Sequence, residues 1–515
     1  MNDSMPTNLR INIKKAVLDL VRSRAFILAF FIPFVVRMIP GILMGPYVVG
    51  FDTLGYYVPN TLTWLHNGVN FWSFLSVAPF FYVLLMGITS VGVPIVISLK
   101  VISPVLLGFL GLAVYYYARR TLSWSPKKSL LVVLFATLYF VALRISWDML
   151  RSELSLIFLF VTLAFLEKTD SPRKNGVILS LAMLSVVFAH QLVAAIMFAI
   201  ILATIARLYL GKKISQLFKL VVCVLPAVFL FLTILFISSS SIITGFPNQS
   251  SEGFMALFGF ASYSGMVADT LVFLVFCYLP LVPLLVLSVR KFKGNLQLNA
   301  WIVWVLIMLL IVIASPNAFF AVLPYRWVLL LTYPLAFFAA EAFSKFKSNA
   351  YKLGVGLMLA ILSVGFIALP NSLAFPYYLA FENYVPTSML QNTVSLGDSQ
   401  DVANALQWVN NNMSANGHLL VHDVFFGWAS LTFDGNRLVP YGYGNPETVA
   451  LELLQNNSAY QLYLIWWVNG SGWHGQPTVS SAFKQVYESG NIAVFTYDSS
   501  TCSNVSDFDF QAIKS

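Results

Sequence analysis

The first side chain suited to proton transfer is Asp52, in the segment VVGFDTLGYYVPNTLTWLHNG that covers residues 48–68. It follows a long apolar stretch and has no basic residue beside it. A carboxylate in this position could act as a general base that removes a proton from a nucleophile. Asp is also a common helix N-cap, and Leu54, Val58 and Leu62 have helical spacing behind it. The residue types alone favour a cap or a loop charge over a catalyst.

A second group of charges lies in RISWDMLRSE, residues 144–153, with two acids and two arginines at a turn between apolar runs. Arg144, Asp148 and Arg151 are three to four residues apart and can share one helical face, which favours an internal ion-pair network. The alternative is a polar floor for an anionic ligand or a divalent ion. Hard cations prefer several carboxylate oxygens, so Asp148 and Glu153 with two arginines beside them make a poor cation site.

Polar side chains also interrupt the apolar runs at Lys100, His190 and Arg326, where burial in lipid would be costly. His190 lies at a turn, in FAHQLVAA, where a structural histidine is favoured over a ligand. Arg326 follows Tyr325 at the start of an apolar run. Its side chain can snorkel to the membrane surface, or bind a lipid phosphate with its planar, permanently charged guanidinium, and the residues leave both open.

The composition of the whole chain is that of a membrane protein. Of its 515 residues 58% are hydrophobic and 10% are charged, with a mean hydropathy of +0.78, whereas soluble domains carry about 25% charged residues. Apolar runs of about 20 residues recur, and each can cross a bilayer as a helix. The net charge of +9 lies in short clusters between these runs, which is typical of membrane topology and argues against a nucleic-acid partner.

Six clusters of Lys and Arg predict the topology, because basic loops stay on the cytoplasmic side. With two crossings between neighbouring clusters, the N-terminus is cytoplasmic and the C-terminus extracytoplasmic. The short apolar segment 78–93 is predicted to lie at the outer interface without crossing. All the polar residues named above, and Gln191, then share the outer side of the cell membrane. The eleven predicted helices are 25–45, 97–118, 129–147, 152–167, 175–189, 191–210, 217–238, 266–289, 299–315, 326–343 and 353–370.

The composition changes near residue 371, which predicts a transmembrane domain over 1–370, a linker over 371–395 and an extracytoplasmic α/β domain over 396–515. Its predicted helix is SQDVANALQWVNNN, and its predicted strands are HLLVHDVFF, YQLYLIWWV and NIAVFTYD. Trp466 and Trp467 in the second strand are interpreted as core residues. Asn-x-Ser sequons on the predicted outer side support the orientation weakly, and they occur at Asn248, Asn412, Asn456, Asn469 and Asn504.

In their order and membrane side, these features resemble the GT-C superfamily of membrane glycosyltransferases, which use polyprenyl- or dolichyl-phosphate-linked sugar donors. The similarity is to the group of protein mannosyltransferases, aminoarabinose transferases and oligosaccharyltransferases. GFDTLGYY resembles their first outer-loop motif, HNG and APFFY the later part of that loop, and RISWDMLRSE the second outer loop. FAHQLVAA resembles a His-containing helix turn, and LPYRWVLLLTYPLAFFAAEAF the late helix whose outer arginine contacts the donor phosphate. The resemblance covers roughly residues 1–370.

The resemblance implies an inverting glycosyltransferase in which Asp52 is the catalytic general base and deprotonates an acceptor that attacks the anomeric carbon of the sugar. Arg326 would stabilise the leaving lipid phosphate. Arg151, Lys100 and His190 are further candidates for binding that phosphate. The implied partners are the lipid-linked donor, a glycan, lipid or protein acceptor, and membrane lipid. Substrate-binding residues are then expected at Tyr56, Tyr57, Asp148, Glu153 and Tyr325.

Two departures from the family pattern favour a metal-independent monosaccharide transferase over an oligosaccharyltransferase. Oligosaccharyltransferases pair the first-loop acid with Asp-x-Glu in the second outer loop and bind a divalent metal, whereas Asp148 and Glu153 have a different spacing. The Trp-Trp pair is followed by Val468, so the acid of the WWDYG motif is missing. No cofactor is expected, and Mg²⁺ or Mn²⁺ would be expected only for a chain closer to the oligosaccharyltransferases.

Two functions from other classes stay open. A transporter or lipid flippase keeps its polar groups near the bilayer midplane and often shows internal repeats. Here the sequence has no clear repeat, and its polar groups are predicted to gather at one membrane surface. A catalytically inactive GT-C-like envelope protein would have the same helices as the enzyme.

Overall fold

The structure of the chain is a computed structural model. The chain forms two compact units. One unit comprises Met1–Pro46 and Val69–Met389, and the other comprises Tyr47–Gly68 and Leu390–Ser515. The described residues are 24–48, 50, 52–166, 173–242, 263–289, 295–314, 324–368, 394–395, 397–441, 445–456, 460–468 and 479–498.

The helices of the described residues are numbered in chain order. They are α1 (Arg24–Leu43), α2 (Val58–Asn67), α3 (Phe71–Ser76), α4 (Phe80–Ser90), α5 (Ile95–Arg120), α6 (Pro126–Leu138), α7 (Phe140–Asp148), α8 (Leu150–Leu166), α9 (Arg173–Ala189), α10 (Gln191–Leu210), α11 (Ile214–Ile242), α12 (Tyr263–Tyr278), α13 (Val282–Val289), α14 (Leu296–Ala314), α15 (Pro324–Leu330), α16 (Thr332–Ser344), α17 (Asn349–Ala368), α18 (Ser399–Asn412), α19 (Asp423–Ser430) and α20 (Pro446–Asn456).

The first unit is helical because a helix satisfies its own backbone hydrogen bonds in lipid. Each of the eleven apolar segments expected to cross the membrane coincides with a helix or a pair of helices. The α-helical polytopic membrane fold is therefore confirmed, while the count of eleven crossings stays a prediction. The segment 78–93 contains the short helix α4. Six spans of the described residues are long and apolar enough to cross a bilayer, and they are Arg24–Leu43, Ile95–Arg120, Gln191–Leu210, Ile214–Ile237, Thr270–Ser288 and Pro324–Ser344.

The helices α6 and α7 form a bent pair with an angle of 60° between them. The break lies at Tyr139, whose backbone is extended, with φ −62° and ψ 136°. Ser363 Oγ donates a hydrogen bond to the carbonyl oxygen of Leu138, and the Tyr139 hydroxyl donates to the carbonyl oxygen of Cys277 at 2.5 Å. A broken helix in lipid needs such contacts, because unsatisfied backbone groups are costly there. The bend starts α7 in a new direction, and α7 carries the first half of the 144–153 group.

Two glycines let α1 pack closely on α5. A β-carbon at Gly111 would lie 2.2 Å from the carbonyl oxygen of Ala29, and one at Gly108 would lie 2.7 Å from the ring of Phe30. The Ala29 carbonyl belongs to the backbone and cannot turn away, so position 111 accepts no side chain. Between helices in lipid the hydrophobic driving force is absent, and close approach over small residues stabilises the pair.

The second unit is built on a five-stranded mixed sheet. Its order is β2-β1-β3-β5-β4, in which β1 pairs in parallel with β2 and β3, and β5 pairs antiparallel with β3 and β4. Trp466 and Trp467 on β3 are 3% and 5% exposed, which confirms them as core residues. The predicted C-terminal α/β domain is therefore present. The strands are β1 (Gly417–Val421), β2 (Leu438–Pro440), β3 (Gln461–Trp467), β4 (Phe483–Ser489) and β5 (Ile492–Tyr497).

The order of elements in this domain differs from the prediction in detail. The predicted strand HLLVHDVFF ends at Val421, and α19 begins at Asp423. The residue between them, His422, is the N-cap, and its Nδ1 accepts a hydrogen bond from the Val424 N–H at 3.2 Å. Neither β2 nor β4 was predicted, because β2 has three residues and β4 is an edge strand with mostly exposed side chains.

Residues 47–68 belong to the same unit as the sheet, whereas the sequence predicted them to be part of the transmembrane domain. The predicted boundaries at 370 and 395 fall in or beside segments outside the described residues, so they stay predictions. Among the sequons, Asn412 ends α18 and Asn456 ends α20. The sequons outside the described residues are Asn248, Asn469 and Asn504.

Candidate functional site

The charged group 144–153 divides at the break between α7 and α8. Arg144 and Asp148 on α7 form an ion pair through Nη1 and Oδ1, and their side chains are 2% and 1% exposed. This is the internal pair that their four-residue spacing predicted. Asp148 therefore has a cation beside it inside the protein. Its expected contact with substrate stays a prediction.

A buried arginine from the first helix supports this break. Arg37 on α1 donates from Nε to the carbonyl oxygen of Ser146 at 3.1 Å and from Nη2 to that of Trp147 at 3.3 Å. Its guanidinium carbon lies 4.8 Å from the ring centroid of Trp147. Arg37 is not among the residues to which the sequence pointed, although an arginine within the apolar run FFIPFVVRMIPGILM was the signal that could have found it.

Glu153 lies in the first turn of α8 and is fully buried. The positive charge of Arg37 acts on its carboxylate, yet within the described part of the chain neither carboxylate oxygen has a hydrogen-bond partner. The buried hydroxyl of Tyr333 lacks a partner there too, and the charge of Glu153 acts on it. A buried polar group without hydrogen bonds is costly and uncommon. The expected role of Glu153 in substrate binding stays a prediction.

Three of the four candidates for binding the donor phosphate come together in the first unit. They are Arg151 at the start of α8, His190 at the turn before α10, and Arg326 in α15. Both guanidinium groups lie near enough to His190 for their charges to act on its imidazole. The Nε2 of His190 lies 3.2 Å from the hydroxyl oxygen of Ser152. Two guanidinium groups converging from different helices are a strong arrangement for a phosphate.

The first turns of α8 and α10 are hydrogen-bonded to the C-terminal end of α3 and the residue that follows it. Arg151 Nη2 donates a hydrogen bond to the carbonyl oxygen of Val77, and Gln191 Nε2 donates to that of Ser76 at 2.9 Å. One of the guanidinium donors of Arg151 is therefore already bound to a backbone carbonyl. Arg151 and Arg326 are both only partly buried.

The fourth candidate, Lys100, makes a different contact. Its Nζ donates hydrogen bonds to the carbonyl oxygens of Gly41, at 3.1 Å, and Gly45. These carbonyls lie at the C-terminal end of α1, where a cation satisfies free acceptors and opposes the negative end of the helix dipole. Lys100 is not one of the charges that act on His190. Its contacts are those of a helix cap.

Asp52 lies in the second unit, where it precedes a π-helical turn, Thr53–Tyr57. Its backbone is helical, with φ −69° and ψ −29°, and its side chain makes no capping hydrogen bond. The capping interpretation of this carboxylate is therefore wrong. π-Helical turns are rare and are found frequently at functional sites.

The three predicted substrate-binding tyrosines differ in their exposure. Tyr56 in the π-helical turn is 42% exposed, whereas Tyr57 is 2% exposed. Tyr325 is 3% exposed, and its ring centroid lies 5.5 Å from that of Phe273 in an edge-to-face arrangement. Tyr56 is thus the tyrosine of this set that a substrate can reach without rearrangement.

The π-helical turn packs against α19 of the same unit. A β-carbon at Gly427 would lie 1.6 Å from the carbonyl oxygen of Leu54. The hydroxyl of Tyr47 donates a hydrogen bond to Gln400 Oε1 on α18, and its ring centroid lies 5.9 Å from that of Trp428 on α19. The residues on both sides of Asp52 are therefore held by helices of the C-terminal domain.

A polar cavity of about 280 Å³ lies between α2 and the end of α19. Its lining offers hydroxyl, imidazole, amide and carboxylate groups from Thr63, His66, Asn436 and Asp434, with Phe433 beside them. Among the described residues, no arginine or lysine lines it. This chemistry suits a neutral ligand rich in hydroxyl groups better than an anion.

Polar groups also gather at the carboxyl ends of β1 and β2, for which the sequence predicted no role. The rings of His422 and Tyr441 lie 5.6 Å apart, between centroids. Burial raises the pKa of the Asp423 carboxyl group. Burial, and then the charge of Asp423, raise the pKa of the Tyr441 hydroxyl well above its usual value. This edge of parallel strands is where ligands commonly bind in α/β domains.

The carboxylates that a divalent ion would need are matched by cations. Asp148 pairs with Arg144, and the charge of Arg37 acts on Glu153. Among the described residues no three His, Cys, Asp or Glu side chains lie together in a way that could hold a metal ion. The donor set of the 144–153 group therefore does not fit a divalent metal.

No family model matches the chain, and no curated protein matches it either. Solved structures do. The crystal structure of ArnT from Cupriavidus metallidurans bound to undecaprenyl phosphate aligns with a TM-score of 0.51 and 14% identity, over 91% of this chain and 97% of that chain. The apo state of the same protein aligns with a TM-score of 0.53 and 13% identity over the same shares. At such identities the likeness establishes the fold. The chain therefore has the fold of the two ArnT structures.

Proposed function

We propose that this chain is an inverting glycosyltransferase that moves a sugar from a polyprenyl-phosphate-linked donor to an acceptor at the outer face of the membrane. The observation that carries the proposal is that Arg151 and Arg326, from different helices of the first unit, both lie near enough to His190 for their charges to act on its imidazole. Two permanently charged guanidinium groups suit a lipid phosphate. The ArnT fold supports the same substrate class, because the similar ArnT structure is bound to undecaprenyl phosphate.

The proposed reaction is a single displacement at the anomeric carbon. The carboxylate of Asp52 removes the proton from the acceptor nucleophile as that nucleophile attacks. The bond between the anomeric carbon and the phosphate oxygen breaks, and the lipid phosphate leaves with the electron pair. Arg326 and Arg151 stabilise the negative charge that develops on this leaving group. A single displacement inverts the configuration of the sugar.

The same arrangement favours transfer without a divalent metal. In the proposed reaction the arginines supply the positive charge that a metal supplies in other phosphate chemistry. The internal pairing of Asp148 with Arg144 leaves this acid poorly suited to a metal ion. Lys100 is left out of the phosphate site, because it caps α1.

The acceptor is proposed to bind through the second unit. The polar cavity beside α2 includes Asp434, and no arginine or lysine among the described residues lines it, so it suits a neutral acceptor with several hydroxyl groups. Aromatic rings such as Phe433 often pack against the apolar face of such molecules.

The substitution Asp52→Asn tests the proposal in the full chain reconstituted into membranes. With a panel of polyprenyl-phosphate monosaccharides as donors, transfer should fall by about 100-fold or more, as expected for loss of a general base. Asp498→Asn, in the same unit, is the matched control and should keep the wild-type rate. Wild-type turnover by Asp52→Asn would remove this residue from the mechanism. Cysteines placed by Asp52→Cys and Arg326→Cys should both react with an impermeant thiol reagent added outside.

A further inference from the structure

The turn that carries Asp52 rests on a backbone contact that excludes any side chain. An ideal β-carbon at Gly427 would lie 1.6 Å from the carbonyl oxygen of Leu54, 2.3 Å from its carbonyl carbon and 2.7 Å from its α-carbon. Real β-carbons essentially never come this close to backbone atoms. Leu54 is two residues after Asp52 and is 1% exposed. The helix α19 and the π-helical turn therefore meet backbone to backbone, and we call this contact the Leu54 seat.

The Leu54 seat is fixed to the core of the C-terminal domain. Phe425 on α19 packs against Trp467 of β3, with ring centroids 4.6 Å apart, and both residues are buried. Gly427 follows Phe425 by two residues on the same helix, so the seat cannot shift without moving the sheet contact. On the other side of Asp52, Tyr47 is held by its hydrogen bond to Gln400 and by its ring contact with Trp428.

The hydrogen bonding of the turn itself continues this support. The Leu54 N–H donates to the carbonyl oxygen of Gly50 at 3.0 Å, and the Val58 N–H donates to that of Thr53. Val58 is fully buried. Asp52 thus lies between two anchored residues, Tyr47 and Leu54, on a turn whose backbone has little room to move.

We propose that the C-terminal α/β domain positions the Asp52 carboxylate for catalysis through the Leu54 seat, with Gly427 as the positioning residue. The proposal rests on Asp52 being the general base of the proposed function. A side chain at 427 would push the Leu54 carbonyl back by roughly 2 Å to reach an ordinary contact distance. A catalytic group displaced by about 1 Å can cost about 100-fold in rate. The domain therefore acts on the chemical step in addition to any contact it makes with the acceptor.

The test compares Gly427→Ala with Gly397→Ala in the full reconstituted chain. A β-carbon at Gly397 meets only the hydroxyl oxygen of Ser395, at an ordinary contact distance of 3.7 Å, so this control has the same chemical change without the clash. Gly427→Ala should lower kcat by about tenfold or more, with the KM for the lipid-linked donor within about twofold of wild type. In the Asp52→Asn background, Gly427→Ala should lower the residual rate by less than about twofold, because the group it positions is gone. A residue that only stabilised the fold would lower both backgrounds equally.

Hydrogen exchange measures the seat independently of activity. Amides of residues 53–58 should exchange about tenfold or more faster in Gly427→Ala, while those of β1, β3 and β5 keep their protection. Normal kcat, or unchanged exchange of 53–58, would overturn the proposal. If the wild-type chain transfers no sugar, the proposed function fails and so does the catalytic consequence, while the exchange result still decides whether the seat holds the turn.

Two milder variants cover the case in which Gly427→Ala unfolds the domain. Tyr47→Phe removes only the hydroxyl that binds Gln400, and Gln400→Leu removes its acceptor together with the hydrogen bond from Gln400 Nε2 to Asn404 Oδ1. Each should raise the exchange of 53–58 and lower kcat without changing the donor KM, in the same direction as Gly427→Ala. If neither does so while the strands stay protected, the C-terminal domain does not position Asp52.

Discussion

The guanidinium carbon of Arg37 lies 4.8 Å from the ring centroid of Trp147, and its Nη2 donates to the Trp147 carbonyl oxygen at 3.3 Å. A charged side chain of the first helix thus satisfies the backbone at the break between α7 and α8. Arg151 follows this break directly, and its charge is one of the two that act on His190. The first helix therefore supports the proposed phosphate site without belonging to it.

Replacing Arg37 should destabilise the protein more than replacing an exposed arginine. Arg37→Leu removes a buried cation from the neighbourhood of Glu153 together with its hydrogen bonds to the carbonyl oxygens of Ser146 and Trp147, which should cost about 3 kcal/mol of stability. Arg37→Lys keeps the charge but loses the planar fork, so its cost should be smaller. Thermal unfolding of the full chain in detergent measures both. An unchanged Tm for Arg37→Leu, relative to the exposed control Arg207→Leu, would show that the break does not depend on Arg37.

Arg326 should govern the use of the donor lipid. Arg326→Ala removes a charge-assisted hydrogen bond worth about 1.5–3 kcal/mol, so the KM for a polyprenyl-phosphate sugar should rise by about tenfold or more. Arg326→Lys should restore part of the loss, since it returns the charge without the bidentate geometry. Steady-state kinetics over a range of donor concentrations separate these cases. A donor KM equal to wild type in both variants would contradict a role of Arg326 at the phosphate.

Lys100 should behave as a structural residue. Lys100→Met keeps the length of the side chain and loses the hydrogen bonds to the Gly41 and Gly45 carbonyls, which should cost about 1 kcal/mol of stability. The donor KM should stay at the wild-type value. Unfolding temperature and donor kinetics on the same preparation test this pair of expectations. A raised donor KM with an unchanged Tm would return Lys100 to the phosphate site.

The stability of the C-terminal domain should depend on pH through Asp423. Burial raises the pKa of this carboxyl group in the folded protein, so the ionised form is disfavoured by folding. The destabilisation is complete above the folded pKa and disappears as the pH falls below the unfolded value of about 3.9. Asp423→Asn should therefore stabilise the domain at pH 8 and lose this advantage in acid. Hydrogen exchange of β1 and β3 at several pH values follows it, and an advantage that grows in acid would reverse the sign.

Much of the fold could be predicted because a helix that crosses a membrane needs a run of about 20 mostly apolar residues. The apolar runs that form α5 and α10 are long enough for their composition alone to predict a membrane-spanning helix. The core strands β3 and β5 were found for a similar reason, because both are continuous apolar runs. Strand β4, with the sequence FKQVYES, is an edge strand of mostly exposed side chains without a continuous apolar run, and its structure comes from pairing with β5.

The candidate site was predictable in residue type but not in partnership. Arg151, His190 and Arg326 were found because polar groups in apolar runs are rare. Lys100 satisfies the same criterion, and only the geometry of the end of α1 distinguishes it from the others. Residues 47–68 belong to the second unit through contacts such as those of Leu54 with Gly427 and Tyr47 with Gln400, and no local sequence pattern predicts contacts between residues so far apart in the chain.

The contact of Gly111 on α5 with the Ala29 carbonyl fixes the position of α1 along α5. Arg37 is eight residues further along α1, about 12 Å from Ala29 at 1.5 Å per residue. A side chain at position 111 would shift or tilt α1 and move Arg37 away from the carbonyl oxygens of Ser146 and Trp147. Gly111 thus determines where along the helix bundle Arg37 meets the break between α7 and α8. A substitution at position 111 would therefore impair use of the lipid-linked donor, although every polar residue of the proposed phosphate site is unchanged.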